Sequence, residues 1–366
     1  MNRFYLLGIP ALFSLLVISE IGTRAQTSVP ARDRAVSASP TVTPVATPTI
    51  KEEDQIYKVE TELVNLNVRV VDRNNRPIGN LRQADFKIYE DNVLQQIDFF
   101  SKSEVPTNYS LVIDNSGSLR PMIDQVIEAG KILVSANKPE DETSIIRFVS
   151  SDKVEIVEDF TSKKADLIDA LETKLYIEGG QTAIIDAVYL AADQVTKYEK
   201  SSNAVDRKRR ALILVSDGED RNSFYTQQQL FDLLRETDVQ IYVVGFVKEL
   251  SAEKGFITKS PQGKAKAFLE KLASETGGKA YFPADVSDLN GIAREIASEL
   301  RTQYSIGYLP SNDRKDGTYR NIKVVIEDGP NKQKRIALTR AGRVAEPEGS
   351  SGSAPTIQKP GQIKDQ

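Results

Sequence analysis

The apolar run Leu111-Val112-Ile113 ends in Asp114-Asn115-Ser116-Gly117-Ser118, which sets one carboxylate and two hydroxyls at every second position. These are hard oxygen donors at the end of what reads as a buried strand, and small hard cations take such donors in an octahedral shell. Two later segments offer more of the same chemistry. Thr182 lies in Gly179-Gly180-Gln181-Thr182 ahead of a helix, and Asp217 lies in Ser216-Asp217-Gly218-Glu219 behind a strand. Two carboxylates balance a divalent cation, and an ion with few direct anionic ligands keeps affinity for another carboxylate from outside.

Each of these residues also has an ordinary role open to it. Asp114 with Ser116 can cap a following helix, Thr182 can cap its own, and Asp217-Gly218 can be a plain turn. A cap needs one such residue and does not explain the triplet together with Thr182 and Asp217. Glu219 and Asp220 read as solvated neighbours, or, in an oxygen-ligand metallohydrolase, as base or second-metal ligand.

Composition narrows the chemistry further. The 366 residues include no cysteine and no histidine, which removes thiolate zinc sites, cysteine nucleophiles, Ser-His-Asp triads and disulfides. A phosphate-binding glycine loop, a Gly-x-Ser-x-Gly elbow and a dinucleotide glycine fingerprint after the first strand are absent from the sequence. With 48 basic against 52 acidic residues and a net charge of -4, the chain carries no field that would draw nucleic acid.

Strands and helices must hold those loops together. Beyond Tyr109, apolar strands at 110–113, 144–148, 154–157, 211–215, 241–246 and 280–282 alternate with amphipathic segments. Ile123, Val126, Ile127, Leu133 and Val134 mark one helix, Ile185, Val188, Ala192 and Val195 a second, and Leu289, Ile292, Ile296 and Leu300 a last one. The pattern predicts an α/β, doubly wound, mostly parallel six-stranded sheet, whose ligand loops gather at the carboxyl ends of its strands.

The flanks are different. Val64, Leu66, Val68 and Val70 alternate with Asn65, Asn67 and Arg69, and Phe86–Tyr89 and Gln96–Phe99 suggest two short strands around a turn at Glu90-Asp91-Asn92. After residue 301, Ile322, Val324 and Ile326 and then Ile336 and Leu338 predict a hairpin about Asp328-Gly329-Pro330. Neither set is large enough to stand alone, so segments 53–105 and 303–342 are expected to pair as one small β domain. Tyr304, Tyr308 and Tyr319 read as its packing residues, and Arg207-Lys208-Arg209-Arg210 as a solvated basic loop ahead of a strand.

At the N-terminus, Arg3, the apolar run Phe4 to Ile18 and Thr23-Arg24-Ala25 read as an export signal over residues 1–25. The run is short for a membrane span, so cleavage and an extracytoplasmic (periplasmic or secreted) mature chain without a span are expected. Residues 26–52, rich in Pro, Ser and Thr, read as a flexible linker, and 343–366 as a disordered tail.

Taken together, Asp114-x-Ser116-x-Ser118, Thr182 and Asp217, in that order, resemble the metal-ion-dependent adhesion site of the von Willebrand factor A (VWA) domain family. The resemblance covers roughly residues 107–300, and the flanks look similar to a bacterial group in which such a domain sits between short β regions. It implies that Asp114, Ser116 and Ser118 anchor the ion, that Thr182 joins its shell in the engaged state, and that Asp217 acts mainly through water. It also implies that exchange of Thr182 is coupled to a shift of the last helix. The expected function is a non-enzymatic binding or adhesion module that captures an Asp or Glu side chain of a partner protein through a divalent cation. Magnesium leads, with manganese or calcium possible. The competing expectations are the metallohydrolase and a metal-stabilised structural scaffold.

Overall fold

The computed structural model describes residues 63–345 apart from positions 75, 103, 199–207 and 248–259. The export signal expected at 1–25, the linker at 26–52 and the tail beyond 345 lie outside the described residues.

The chain enters through β1 (Val64–Val71), β2 (Phe86–Glu90), β3 (Val93–Gln95) and β4 (Phe99–Ser101). It then builds β5 (Thr107–Asp114), β6 (Glu142–Phe148), β7 (Val154–Thr161), β8 (Arg209–Ser216), β9 (Gln240–Gly245) and β10 (Ala280–Tyr281). These six form one sheet in the order β10-β9-β8-β5-β6-β7, parallel except for the β6–β7 pair. All eight residues of β5 are buried, which is why Leu111-Val112-Ile113 at its centre reads as an apolar run rather than as an alternation.

Helices cover both faces, as the doubly wound pattern requires. On one face α3 (Ile184–Lys197), α4 (Gln227–Glu236) and α5 (Pro261–Glu275) enclose a core around Val112, Leu212 and Val243. On the other, α1 (Ile123–Ser135), α2 (Lys164–Thr173) and α6 (Leu289–Arg301) pack on Leu111, Ile145 and Ile213. Among the described residues, no helix is long and apolar enough to cross a membrane.

The end of α5 shows how tightly the layers meet. Gly277 takes φ +78°, and the amides of Gly277 and Gly278 donate back to Ser274 and Ala273, the left-handed ending that frees a helix from its last unpaired carbonyls. A Cβ on Gly278 would collide with the carbonyl oxygen of Ile241 in β9. Gly278→Ala is therefore expected to lose about 1–3 kcal/mol of stability, as overpacking does, read from the urea midpoint.

The flanking segments pair with each other across the insertion. β1 is antiparallel to both β11 (Tyr304–Tyr308) and β13 (Ile336–Leu338). β2 lies between β3 and β12 (Tyr319–Ile326), and β12 also takes β14 (Gly342–Val344). The resulting sheets, β13-β1-β11-β4 and β14-β12-β2-β3, share a core that includes Val68, Ile88, Tyr304, Ile306 and Tyr308.

Four expectations change here. The partner of β2 is Val93–Gln95 rather than Gln96–Phe99, because Asp91 and Asn92 both take positive φ (48° and 66°) and close a two-residue turn that fixes Glu90 opposite Val93. The expected C-terminal hairpin is not one: β12 and β13 belong to different sheets, β12 pairing with β2 over five positions and β13 with β1 over three. Tyr304 and Tyr308 are buried as expected, but Tyr319 is part-exposed beside Arg235. β14 also runs through the start of the expected tail, where Arg343 pairs with Glu90.

The basic cluster is not a solvated loop either. Arg207 lies outside the described residues; Lys208 pairs with Glu142 and Arg210 with Asp238. Arg209 is buried and donates to the carbonyls of Leu300 and Gln303 at the end of α6. A helix terminus offers unpaired carbonyls and partial negative charge, and the first residue of β8 lies where it can satisfy both.

Arg69 lies on the polar face of β1, yet it is only 4% exposed. At this position α6 lies against the strand, and the guanidinium meets the buried carboxylate of Glu299 at 2.5 Å. Burial pushes the Glu299 carboxyl up, while Arg69 and Lys279 pull it back.

Candidate metal site

Parallel register places the loops. Ile113 is opposite Val215 in the β5–β8 pair, so the next residues, Asp114 and Ser216, leave the sheet side by side. The Ser216 hydroxyl donates to Asp114 Oδ2 at 2.8 Å, and the Ser116 amide donates to Oδ1 at 2.8 Å. The Ser116 and Ser118 hydroxyls are 2.9 Å apart. Asp217 follows directly after Ser216, is 2% exposed, and accepts the Glu219 amide on Oδ1.

Asp114 is fully buried. Burial pushes its carboxyl up to about 6; the hydrogen bond from Ser116 pulls down, and the negative charge of Asp217 pushes up again. Among the described residues, no basic side chain ranks among the largest influences on it or pairs with it. A pair of buried carboxylates without a cation is costly.

Asp217-Gly218 does form the turn weighed for it, with Gly218 at φ +82° and the Glu219 amide on Asp217, but the capping roles are not taken. Ser116 stands at the N-cap of the short 3-10 segment Gly117–Met122 but makes no side-chain capping bond. Thr182 does not cap α3: the N-cap is Ala183, and the Ile185 and Asp186 amides are met instead by the Asp220 carboxylate (3.2 Å) and the Ser223 hydroxyl (3.2 Å). Thr182 is buried, and its carbonyl accepts the Arg221 amide at 2.8 Å, which ties its loop to the segment after Asp217. The glycines before it permit this approach. Gly180 takes φ +149°, and a Cβ there would come within 2.6 Å of Val149.

Asp114, Ser116 and Ser118 are thus joined by hydrogen bonds, Asp217 lies within electrostatic reach of Asp114, and Thr182 is linked through Arg221 to the Asp217 loop. Glu219 and Asp220 are occupied elsewhere, by Arg221 and by Ile185 with Ser223. Among the described residues, no group of three or more Asp and Glu side chains could hold a metal ion, so an ion here would rest on two carboxylates and hydroxyls. That donor set, with its buried and uncompensated charge, fits a hard divalent cation.

Two supporting residues are not evident from the sequence alone. Ser216 holds Asp114, and the parallel register would have revealed it. Asp186, 1% exposed in the apolar run Ile184-Ile185-Asp186-Ala187, accepts the Phe224 and Tyr225 amides at 2.7 and 2.8 Å and so fixes the loop after Asp217. A carboxylate inside such a run was the available signal.

Residues 110–295 match the family model of the von Willebrand factor type A domain. The chain belongs to that family. A VWA domain implies a protein-interaction or adhesion module. Among solved structures, this VWA chain is similar to proximal thread matrix protein 1 from the mussel byssus (18% identity, 54% of this chain and 49% of that one, TM-score 0.42), which has also been solved with a zinc-occupied MIDAS motif. The chain therefore spans about half the length of the mussel protein. It is also similar to an aerotolerance-related membrane protein of Bacteroides fragilis (20% identity, 53% and 98%, TM-score 0.39). A third is a von Willebrand factor type A protein of Catenulispora acidiphila (13% identity, 70% and 73%, TM-score 0.43). No curated protein matches the chain.

Proposed function

We propose that this protein is an exported, non-enzymatic VWA module that captures an Asp or Glu side chain of a partner protein through a divalent cation held by Asp114, Ser116, Ser118, Thr182 and Asp217. The observation that carries the reading is the fully buried Asp114 carboxylate, next to Asp217 and without a basic partner. A bound cation would supply a coordination position for an outside carboxylate. The chain's own residues prepare for it: Ser216 and the Ser116 amide fix Asp114, and Arg221 fixes the Thr182 loop. Oxygen donors alone favour magnesium, with manganese or calcium as alternatives. Export rests on the sequence of residues 1–25.

Glu219 and Asp220, the groups a metallohydrolase would need as bases, are engaged in the loop's own bonds, which favours binding over hydrolysis. The test is capture of peptides bearing one Asp, immobilised on beads, by the full chain in millimolar magnesium. Ser116→Ala is expected to weaken capture at least about tenfold, which is about 1.4 kcal/mol, and chelator to abolish it. Magnesium that raises the melting temperature without any acid-dependent capture would leave a structural scaffold in its place.

A further inference from the structure

Two aromatic side chains stand exposed on the loops that run beside the candidate site. Phe224 is 76% exposed, more than any other large hydrophobic residue described, and Tyr176 is 50% exposed. Tyr176 is one hydrogen bond from the Asp114 motif, and Phe224 follows closely on a residue bonded to Thr182. The Tyr176 carbonyl accepts the side-chain amide of Asn115, within the Asp114 motif, at 2.7 Å. Phe224 lies three positions after Arg221, whose amide holds the Thr182 carbonyl.

Neither ring hangs loose. The Phe224 amide is held by buried Asp186, and its ring meets Tyr225 edge-on at 5.4 Å, while Tyr225 stacks on Tyr189 at 3.8 Å. The Arg147 guanidinium sits 4.0 Å over the Tyr176 ring and donates to its hydroxyl at 2.6 Å, and Glu155 holds Arg147 in turn. A lone exposed phenylalanine is ordinary. Two clamped aromatics on separate loops beside one site are not, because rings ordered in advance lose little freedom on binding and serve as interface anchors. Ser118 and Arg120 are also exposed, so the motif opens to solvent on the side a partner must approach.

We propose that the partner segment presents its acidic residue beside a bulky apolar one, and that Phe224 and Tyr176 form the rim that reads this neighbour. The inference rests on the capture reading given above and adds the chemistry of the captured segment.

The test uses displayed cyclic peptides with one fixed Asp and random residues on both sides, selected on the full chain in millimolar magnesium. Enrichment of Phe, Tyr, Trp, Leu or Met beside the Asp is expected. Phe224→Ser should weaken the aromatic-flanked peptides about tenfold and their glycine-flanked versions less than about twofold, the pattern of a rim anchor. Tyr176→Ala should act in the same direction. Leu309→Ser, an exposed residue of the β unit, should change neither. Asp-dependent binders with random flanks, or equal losses for both peptide types, would overturn the rim alone. A library that yields no Asp-dependent binder would overturn the capture reading and the rim together.

Discussion

Replacing Asp114 by Asn is expected to make the metal-free protein more stable and, in the same variant, to remove its response to magnesium. The carboxyl of Asp114 is raised to about 6 in the folded chain, from an ordinary value of 3.8. Between those values the folded state binds the extra proton, so stability falls as pH rises through that window, and the penalty is complete above about pH 6. Its size at neutral pH is about 3 kcal/mol. Asn keeps the acceptor for the Ser116 amide and carries no charge. In chelator, the wild-type and Asp114→Asn melting curves should coincide near pH 4 and separate progressively towards pH 7, with the variant higher. Magnesium at about a thousand times its dissociation constant should reverse the order, because a ligand at that level contributes about 4.1 kcal/mol, more than the penalty, and only the wild type can use it. A variant less stable than wild type in chelator at neutral pH would show that the carboxylate is already compensated, and the argument for a cation would go with it.

A loss of about 3–5 kcal/mol is expected when Glu299 is replaced by Leu, since Arg69 is then left charged and unpaired in the interior. Both residues are almost inaccessible, and their contact joins β1 to α6. Replacing the pair together, Arg69→Met with Glu299→Leu, should recover most of that loss, to within about 1 kcal/mol of wild type, because apolar side chains of similar size need no counter-charge. Urea midpoints of the three variants measure it. A double variant as unstable as the single one would mean that the junction requires the ion pair itself, by geometry rather than by charge balance.

Much of the α/β unit is legible because its signals are local. The apolar run Leu111-Val112-Ile113 marks the enclosed β5, and the Asp114, Thr182 and Asp217 loops follow or precede elements whose periodicity locates them. What escapes the sequence depends on neighbours distant along the chain. Arg69 looks like a surface residue because alternation reports one covered face, and only the presence of α6 on the other face buries it. Arg209 reads as part of a soluble loop until the carbonyl end of α6 is placed above it. β12 and β13 look like a hairpin because they are adjacent, yet both take their partners from across the insertion, β12 with β2 and β13 with β1. At the site, Ser216 looks like filler before Asp217, and only the register with β5 shows that it holds Asp114.

The β unit draws its strands from both sides of the insertion, with contacts such as Tyr308–Glu90 spanning 218 positions. During synthesis its first four strands therefore emerge long before their partners exist, while the interposed α/β region can already complete itself. That region's closure brings residues 107 and 301 to positions from which the late strands can find the early ones, so assembly runs from the middle outwards. A nascent chain stopped before residue 304 should bury its central core and leave β1, β4 and the outer edge of the β2–β3 hairpin unmatched, sticky surfaces that a holdase would need to shield.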